Sequence, residues 1–316
     1  MDNKTMNDQP MMDKPSIDKP MEKTMSKPMM EKSVDMSKTK PTLTSPLMSK
    51  PRKNNMVSRD PVHKNENILE VIDLTKIYKR STQGVRNLTF SIKKGDIHAF
   101  VGENGAGKTT TIKTIINAYA DFQGKILIDG YDNRLPESKS KLGYVPEVAL
   151  FPQEITTYEY LFSLARLSRV SAKEAKEKIL YLLDTMGILN LKDKKPVNFS
   201  SGQKKKVLLI QALLHNPELI ILDEPAANLD PSARFEFFEI LKELNREGKT
   251  IFLCSHILKE ADEYANSLTL IHGGKLVYTG VKYADLDSLY YNLILKDQAK
   301  DGRKMMFSED SIKKDL

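Results

Sequence analysis

From residue 66 onward, short apolar runs alternate with helical stripes, and their order predicts an α/β domain. Residues 68–74 read as a strand, and residues 88–93 as another with alternating apolar and polar positions, followed by a turn at Lys94-Gly95-Asp96. Residues 97–101 (IHAFV) form an apolar strand leading into a glycine-containing turn and a helix that opens at Gly107-Lys108-Thr109. Strands follow at 125–128 and 142–145, separated by the turn Asp129-Gly130. Residues 219–222 (LIIL) are continuously apolar, the pattern of a strand buried on both faces of a parallel sheet, and 250–254 repeats it. Between them lies a helix over 231–246 with Pro231 in its first turn. Two short strands, 267–271 and 275–278, close around Gly273-Gly274.

The period changes over residues 155–190. Helices are predicted at 157–169, with Tyr160, Leu161, Leu164 and Leu167 on one stripe, and at 172–186, with Ile179, Leu182, Leu183 and Met186 on another. Ser171 and Glu174 have the spacing of a capping box. A third helix runs over 203–215 and stops at Asn216-Pro217. The expected organisation is a tail (1–65), a folded domain (66–281) with a helical subdomain at about 150–215, and a short C-terminal extension (282–316) whose residues 296–316 read as a frayed end.

Composition sharpens that division. Residues 1–65 hold 11 of the 14 methionines, 8 of the 15 prolines and no Gly, Phe, Tyr or Cys. So poor in large apolar groups, they read as a solvated, disordered tail, with transient contact to anionic lipid or a partner as the alternative. The tail carries 13 Lys+Arg against 8 Asp+Glu and the remainder 36 against 34, so the folded part makes no electrostatic case for nucleic acid. A single cysteine, Cys254, excludes an intramolecular disulfide framework and suits a reducing compartment. Without a spanning apolar run or a signal peptide core, a cytoplasmic location is expected.

The candidate chemistry begins at GENGAGKTT (102–110). Gly102, Gly105 and Gly107 allow the backbone to aim N–H groups inward at a helix N-terminus, a nest for phosphate oxygens. Lys108 can reach the β- and γ-phosphates, and the Thr109 hydroxyl can ligate Mg²⁺. The apolar run 219–222 delivers Asp223 and Glu224 to a strand's C-terminal end, where open α/β sheets bind ligands. Asp223 suits the Mg²⁺ shell, and Glu224 the polarisation of attacking water.

With these residues in view, the chain resembles the nucleotide-binding subunit of an ATP-binding-cassette (ABC) transporter over residues 66–295. GENGAGKTT is similar to that family's Walker A, LIILDEP (219–225) to its Walker B and FSSGQKKK (199–206) to its signature sequence. NLD (228–230) resembles the D-loop, and Ser255-His256 the switch histidine. The resemblance implies the ABC ATPase fold: a P-loop NTPase parallel-sheet core, an antiparallel β subdomain and an inserted helical subdomain. It assigns nucleotide binding to Gly102, Asn104, Gly105, Gly107, Lys108, Thr109 and Thr110. Ser200, Gly202 and Gln203 would contact ATP held by an opposite subunit, and Asp230 would link the two sites. Lys108, Glu224 and His256 would be catalytic, and Thr109, Asp223 and Glu147 would lie around Mg²⁺. Tyr78, which by itself reads as an edge or core aromatic, becomes an adenine-stacking residue.

Two positions depart from the family pattern. Glu147, in GYVPE (143–147), replaces the usual glutamine, as in the drug- and peptide-exporting (ABC-2-type) branch, and Ser201 replaces the signature's first glycine, at a modest strain if that site needs φ > 0. Other polar groups read as structural: residues 204–206 as a solvated lysine face, His98 as a satisfied core histidine, His215 as a C-terminal helix cap and Cys254 as a packed small hydrophobe. The implied function is an ATPase subunit, paired with itself or a similar chain, driving export through a separate membrane permease. The alternatives are an importer subunit or a soluble ABC ATPase acting on ribosomes or DNA, and no nucleic acid partner is expected.

Overall fold

The computed structural model of the 316-residue chain describes residues 66–79 and 81–295. The proposed tail and the end at 296–316 lie outside the described residues. In chain order the elements are β1 (Asn67–Ile77), β2 (Gly84–Lys93), β3 (Ile97–Val101), α1 (Lys108–Ile115), β4 (Gln123–Ile128), β5 (Tyr131–Asp132), α2 (Pro136–Ser140) and β6 (Leu142–Val145). Then follow α3 (Thr157–Leu167), α4 (Ala172–Thr185), α5 (Ser201–Leu213), β7 (Leu219–Asp223), α6 (Pro231–Arg246), β8 (Thr250–Ser255), α7 (Leu258–Tyr264), β9 (Ser267–His272), β10 (Lys275–Val281) and α8 (Leu286–Tyr290).

Two sheets result. A six-stranded sheet, ordered β10-β9-β3-β8-β7-β6, is parallel except where β10 pairs antiparallel with β9. Its strands β3, β7 and β8 are buried at every residue, as their unbroken apolar runs require in a sheet covered on both faces. A four-stranded antiparallel sheet, β2-β1-β4-β5, lies against it. β2 alternates buried and exposed positions because only one of its faces is covered.

The core between the sheets encloses α1. Ile112 and Ile115 pack with Val71 and Phe90 from the antiparallel sheet and with Phe100 and Phe252 from the parallel one. Phe90, Phe100 and Phe252 form a ring cluster with centroids 5.3–6.4 Å apart. On the other face, α3, α4, α5 and α6 share a second core through Leu161, Ile179, Leu209 and Phe237. The third core, at the β9 side of the sheet, takes Leu286, Leu289 and Ile294 from the C-terminal turns.

The α4 stripe is buried as its spacing predicts, but the α3 stripe is corrected at Leu167, which is 79% exposed. Its buried positions are Thr157, Leu161 and Ala165, because the helix rests on α4 and α5 by a narrower face. The capping box expected at Ser171 is only half formed: Ser171 accepts the Glu174 N–H at 3.3 Å, with no return bond from the Glu174 side chain. Complete boxes cap α3 (Thr156 with Glu159) and α5 (Ser200 with Gln203).

His98 is a core histidine with both ring nitrogens hydrogen-bonded, to Ser267 Oγ and Thr269 Oγ1 at 2.9 Å each. Burial drives its pKa down to about 3, so the folded chain holds it neutral while the unfolded chain takes up a proton below its ordinary value. Stability from this group is therefore complete above about pH 6.5 and is lost as pH falls toward 3, at up to about 1.4 kcal/mol per pH unit. Urea midpoints at pH 7 and pH 5 should fall less in His98→Asn than in the native chain.

Candidate functional site

The strand-to-helix turn between β3 and α1 forms the floor of a cavity of about 540 Å³. Its tight geometry depends on glycine at two places. A Cβ at Gly102 would lie 2.4 Å from the Ile271 carbonyl oxygen, and Gly107 has φ 105° with Val85 Cγ1 2.3 Å from its would-be Cβ. Asn104, Gly105, Gly107, Lys108, Thr109 and Thr110 all line the cavity, with Lys108 leading α1. The Lys108 ammonium donates to the Gly102 and Glu103 carbonyls (2.8 and 3.2 Å) and lies 3.6 Å from Glu224 Oε1.

Across the cavity, β7 ends at Asp223 and β8 at Ser255, and the residues just beyond them meet. Glu224 Oε2 accepts from His256 Nδ1 at 2.8 Å and from the His256 backbone N–H at 3.3 Å. Glu224 sits at φ 46°, a left-handed conformation that costs a non-glycine residue about 1–2 kcal/mol. It is held there by its own N–H donating to Cys254 O at 3.0 Å and by its carbonyl accepting from Ala227 N at 3.2 Å. This strain points the carboxylate between an ammonium and an imidazole.

Asp223 lies beneath the cavity, buried and outside its lining. Burial raises its pKa, against which the Cys254 thiol bond works, and its Oδ1 has no hydrogen-bond partner. A buried carboxylate oxygen left without a donor is a fit for a cation. Among the described residues no group of three or more His, Cys, Asp or Glu could hold a metal ion by itself. Mg²⁺ is commonly held by one or two protein oxygens together with substrate phosphates and water. Thr109, exposed at the head of α1, and the exposed Glu147 both line the cavity and are the other oxygens available.

Tyr78 closes the far end. Its hydroxyl is hydrogen-bonded to Thr110 Oγ1 (3.0 Å), and its ring meets Tyr119 edge-on with centroids 6.0 Å apart. Arg86, Gly84 and Gly274 also line this wall, residues that motif reading missed. The Arg86 N–H donates to Gly274 O at 2.8 Å, joining β2 to the β9–β10 turn, and no local pattern announces a pairing 188 residues apart.

The signature residues are elsewhere. Ser200, Gly202, Gln203 and Asp230 are absent from the cavity lining. Ser200 caps α5, accepting from the Gln203 N–H at 3.3 Å, and Asp230 caps α6, accepting from Ala233 N at 2.9 Å. Gly202 lets these two helix starts approach: its would-be Cβ is 3.0 Å from Ala233 Cβ. Ser201 has no positive φ, being the first residue of α5, so the strain considered for it does not exist. Ser201→Gly should lower the urea-derived stability by less than about 1 kcal/mol instead of raising it.

The expected solvated face at residues 204–206 is corrected most strongly. Lys205 and Lys206 are only 4% and 9% exposed. Lys205 Nζ donates to the carbonyls of Pro146 (3.0 Å) and Glu147 (2.8 Å), tying α5 to the loop beyond β6. Burial pulls its pKa down to about 8, with Glu147, Asp223 and Glu224 pulling it back up. Lys206 donates to Met186 O (3.0 Å) and pairs with Glu236 at 2.7 Å, joining α4, α5 and α6. His215 is corrected too: its Nε2 donates to Leu142 O on β6 (2.9 Å) and not to a carbonyl of its own helix. Cys254 is fully buried, as expected, and its thiol pKa is raised by that burial.

A glycine turn at a helix N-terminus, a strand-end carboxylate pair and a facing histidine fit the class of P-loop nucleotide-hydrolysing proteins. The ABC transporter family profile matches residues 85–227. An ABC transporter ATP-binding protein of Mycoplasma pneumoniae is 47% identical over 230 residues, covering 72% of this chain and 71% of that protein. The linearmycin resistance ATP-binding protein LnrL of Bacillus subtilis is 33% identical over 218 residues, covering 68% and 70%. A solved ATP-binding subunit of an ABC transporter superposes with a TM-score of 0.66 at 33% identity, covering 72% of this chain and 99% of that one. The chain belongs to the ABC transporter ATP-binding proteins; it binds ATP and is an ATPase coupled to transport.

Proposed function

We propose that this chain is the ATP-hydrolysing subunit of an exporter whose membrane-spanning permease is a separate chain, and that it works as a dimer. The observation carrying the dimer is the separation of its two half-sites. Glu224, His256 and Lys108 converge on one cavity, while the capped start of α5 at Ser200–Gln203 contributes nothing to it. A second subunit, the same or similar, would bring its α5 N-terminus onto the phosphates from the open side, adding a helix dipole and backbone N–H groups. Asp230, at the adjoining start of α6, would lie at that junction.

In this reading Tyr78 stacks on adenine, and the nest N–H groups with Lys108 hold the phosphates. Mg²⁺, when bound near Asp223, Thr109 and Glu147, supplies charge neutralisation at the phosphate oxygens. Glu224 polarises the attacking water, and His256 orients Glu224 through the 2.8 Å bond and reaches the γ-phosphate. No described helix is long and apolar enough to cross a membrane, and this reading assigns the crossing to a membrane partner. Directly after Glu147, Val148 and Leu150 are 63% and 83% exposed, an apolar surface suited to such a partner. Export is favoured by Glu147 and by carrying over the resistance named for LnrL.

The test is a mild-detergent pull-down of tagged Glu224→Gln protein from its native cells with ATP present. Recovery of a polytopic membrane protein in stoichiometric yield is expected. Ribosomal or DNA-associated proteins with no membrane partner would overturn the reading.

A further inference from the structure

A second cleft, of about 660 Å³, shares no lining residue with the nucleotide cavity. One wall is Arg134 and Lys139, from α2 and the turn before it. The other is Arg169, from the α3–α4 connection, and Lys178 on α4. His215, just beyond α5, forms the base, and Glu174 is the one carboxylate in the lining. Four basic side chains against one acid give the lining an excess of positive charge, with Asp132 outside it 3.9 Å from Arg134, in a recess whose size suits a small molecule.

Basic groups in the cleft are partly desolvated. Burial first, and the nearby Lys249 second, lower the Lys178 pKa to about 8, with Glu174 opposing. His215 is lowered by burial and by the same two lysines, Lys178 and Lys249, despite its bond to Leu142 O. Lys249 itself is committed to Asn216 Oδ1 and Pro217 O (2.6 and 2.8 Å). Lys139 gives one hydrogen to Ile116 O at 2.6 Å, leaving two. Among the described residues, the side chains of Arg169 and Lys178 have no hydrogen-bond or ion-pair partner. Arg169 moreover occupies a left-handed position (φ 62°) closing α3, where glycine is the favoured residue. Like charges crowded into a partly desolvated cleft are unfavourable by themselves and are relieved by an oxyanion.

We propose that this cleft binds a small phosphate-bearing anion, gripped by Arg134 and Lys139 on the sheet side and by Arg169 and Lys178 on the helical side. Such a ligand bridges two parts of the fold. β6 runs from this cleft to the loop bearing Glu147, and α5 runs back to Ser200, about 20 Å away by its 13 residues. Occupancy would therefore clamp the helical insertion to the sheet and act on the nucleotide site at a distance.

The test uses full-length Lys108→Ala protein, in which the phosphate contact of the nucleotide site is weakened, with pyrophosphate as the probe. The side-chain NMR signal of Lys178 is assigned by its loss in Lys178→Gln and followed during the titration. A saturable shift is expected, and adding Arg169→Gln, at an exposed position, should weaken it by about tenfold or more. No saturable shift at millimolar pyrophosphate, or an unchanged midpoint in the Arg169→Gln protein, would overturn the proposal. A parallel sedimentation with phosphatidic-acid vesicles identifies the source of the phosphate. Pelleting lost in both Arg169→Gln and Lys178→Gln assigns it to a lipid headgroup; pyrophosphate binding without pelleting assigns it to a soluble compound.

Discussion

Glu224→Gln is expected to slow ATP hydrolysis by about 10²–10⁴-fold, the contribution of a positioned general base, while leaving ATP binding intact. The substitution keeps the size and shape of the side chain and leaves the left-handed backbone at this residue unaltered, so the turn at the end of β7 should persist. An amide oxygen can still accept from His256, whose ring nitrogen lies 2.8 Å from the carboxylate. What is lost is the basicity that polarises water, together with one negative charge 3.6 Å from the Lys108 ammonium. Removing that charge frees Lys108 for phosphate, so ATP should hold two subunits together in a dimer that no longer resolves. Size-exclusion chromatography with light scattering, with and without ATP, and a phosphate-release assay measure both parts. A variant that hydrolyses ATP at the native rate would remove Glu224 from the reaction.

Lys205→Met should cause the second large loss, at a residue outside the cavity. Methionine keeps much of the volume but leaves the Pro146 and Glu147 carbonyls without their buried donor, a charge-assisted pair of bonds worth about 1.5–3 kcal/mol each. It also removes the cation facing the Glu147, Asp223 and Glu224 carboxylates. The urea midpoint should fall, and the ATPase rate at saturating ATP should fall by about tenfold or more, since the loop carrying Glu147 is no longer tied to α5. The ATP concentration for half-maximal rate should change little, because Lys205 does not line the cavity. Lys205→Arg restores a donor and the charge, and should recover part of the rate. Equal losses in both kinetic parameters would mean that Lys205 only supports the fold.

These two residues also differ in how visible they are in the sequence. Glu224 stands in LIILDEP, where an unbroken apolar run forces a doubly covered strand and leaves the next polar residues at its end. Gly102, Gly107 and Lys108 are legible for the same reason, since the turn, the helix start and the nest are all made within nine residues. Lys205 lies in a run of three lysines whose ordinary expectation is water, and its partners are carbonyl groups 58 and 59 residues earlier. Leu167, which carries the right spacing and ends up exposed, failed by the same logic in reverse: periodicity marks a face but not how wide a face the neighbours cover.

Apart from β5, α2, α7 and α8, which it did not announce, the sequence by itself determined the α/β class, the order of strands and helices, the glycine turn, the strand-end acids and the helical insertion. All of these are local, set by side-chain period, by backbone freedom at glycine and by the caps of single elements. Only the tertiary structure decided that Glu224 rests between Lys108 and His256, that Arg86 joins the cavity wall, that Ser201 is unstrained and that Lys205 is buried. It also decided that Arg134, Lys139, Arg169 and Lys178 face one cleft. Each of those outcomes depends on which distant elements pack together, and with it on the dielectric and hydrogen-bond partners a polar group meets, which no local pattern encodes.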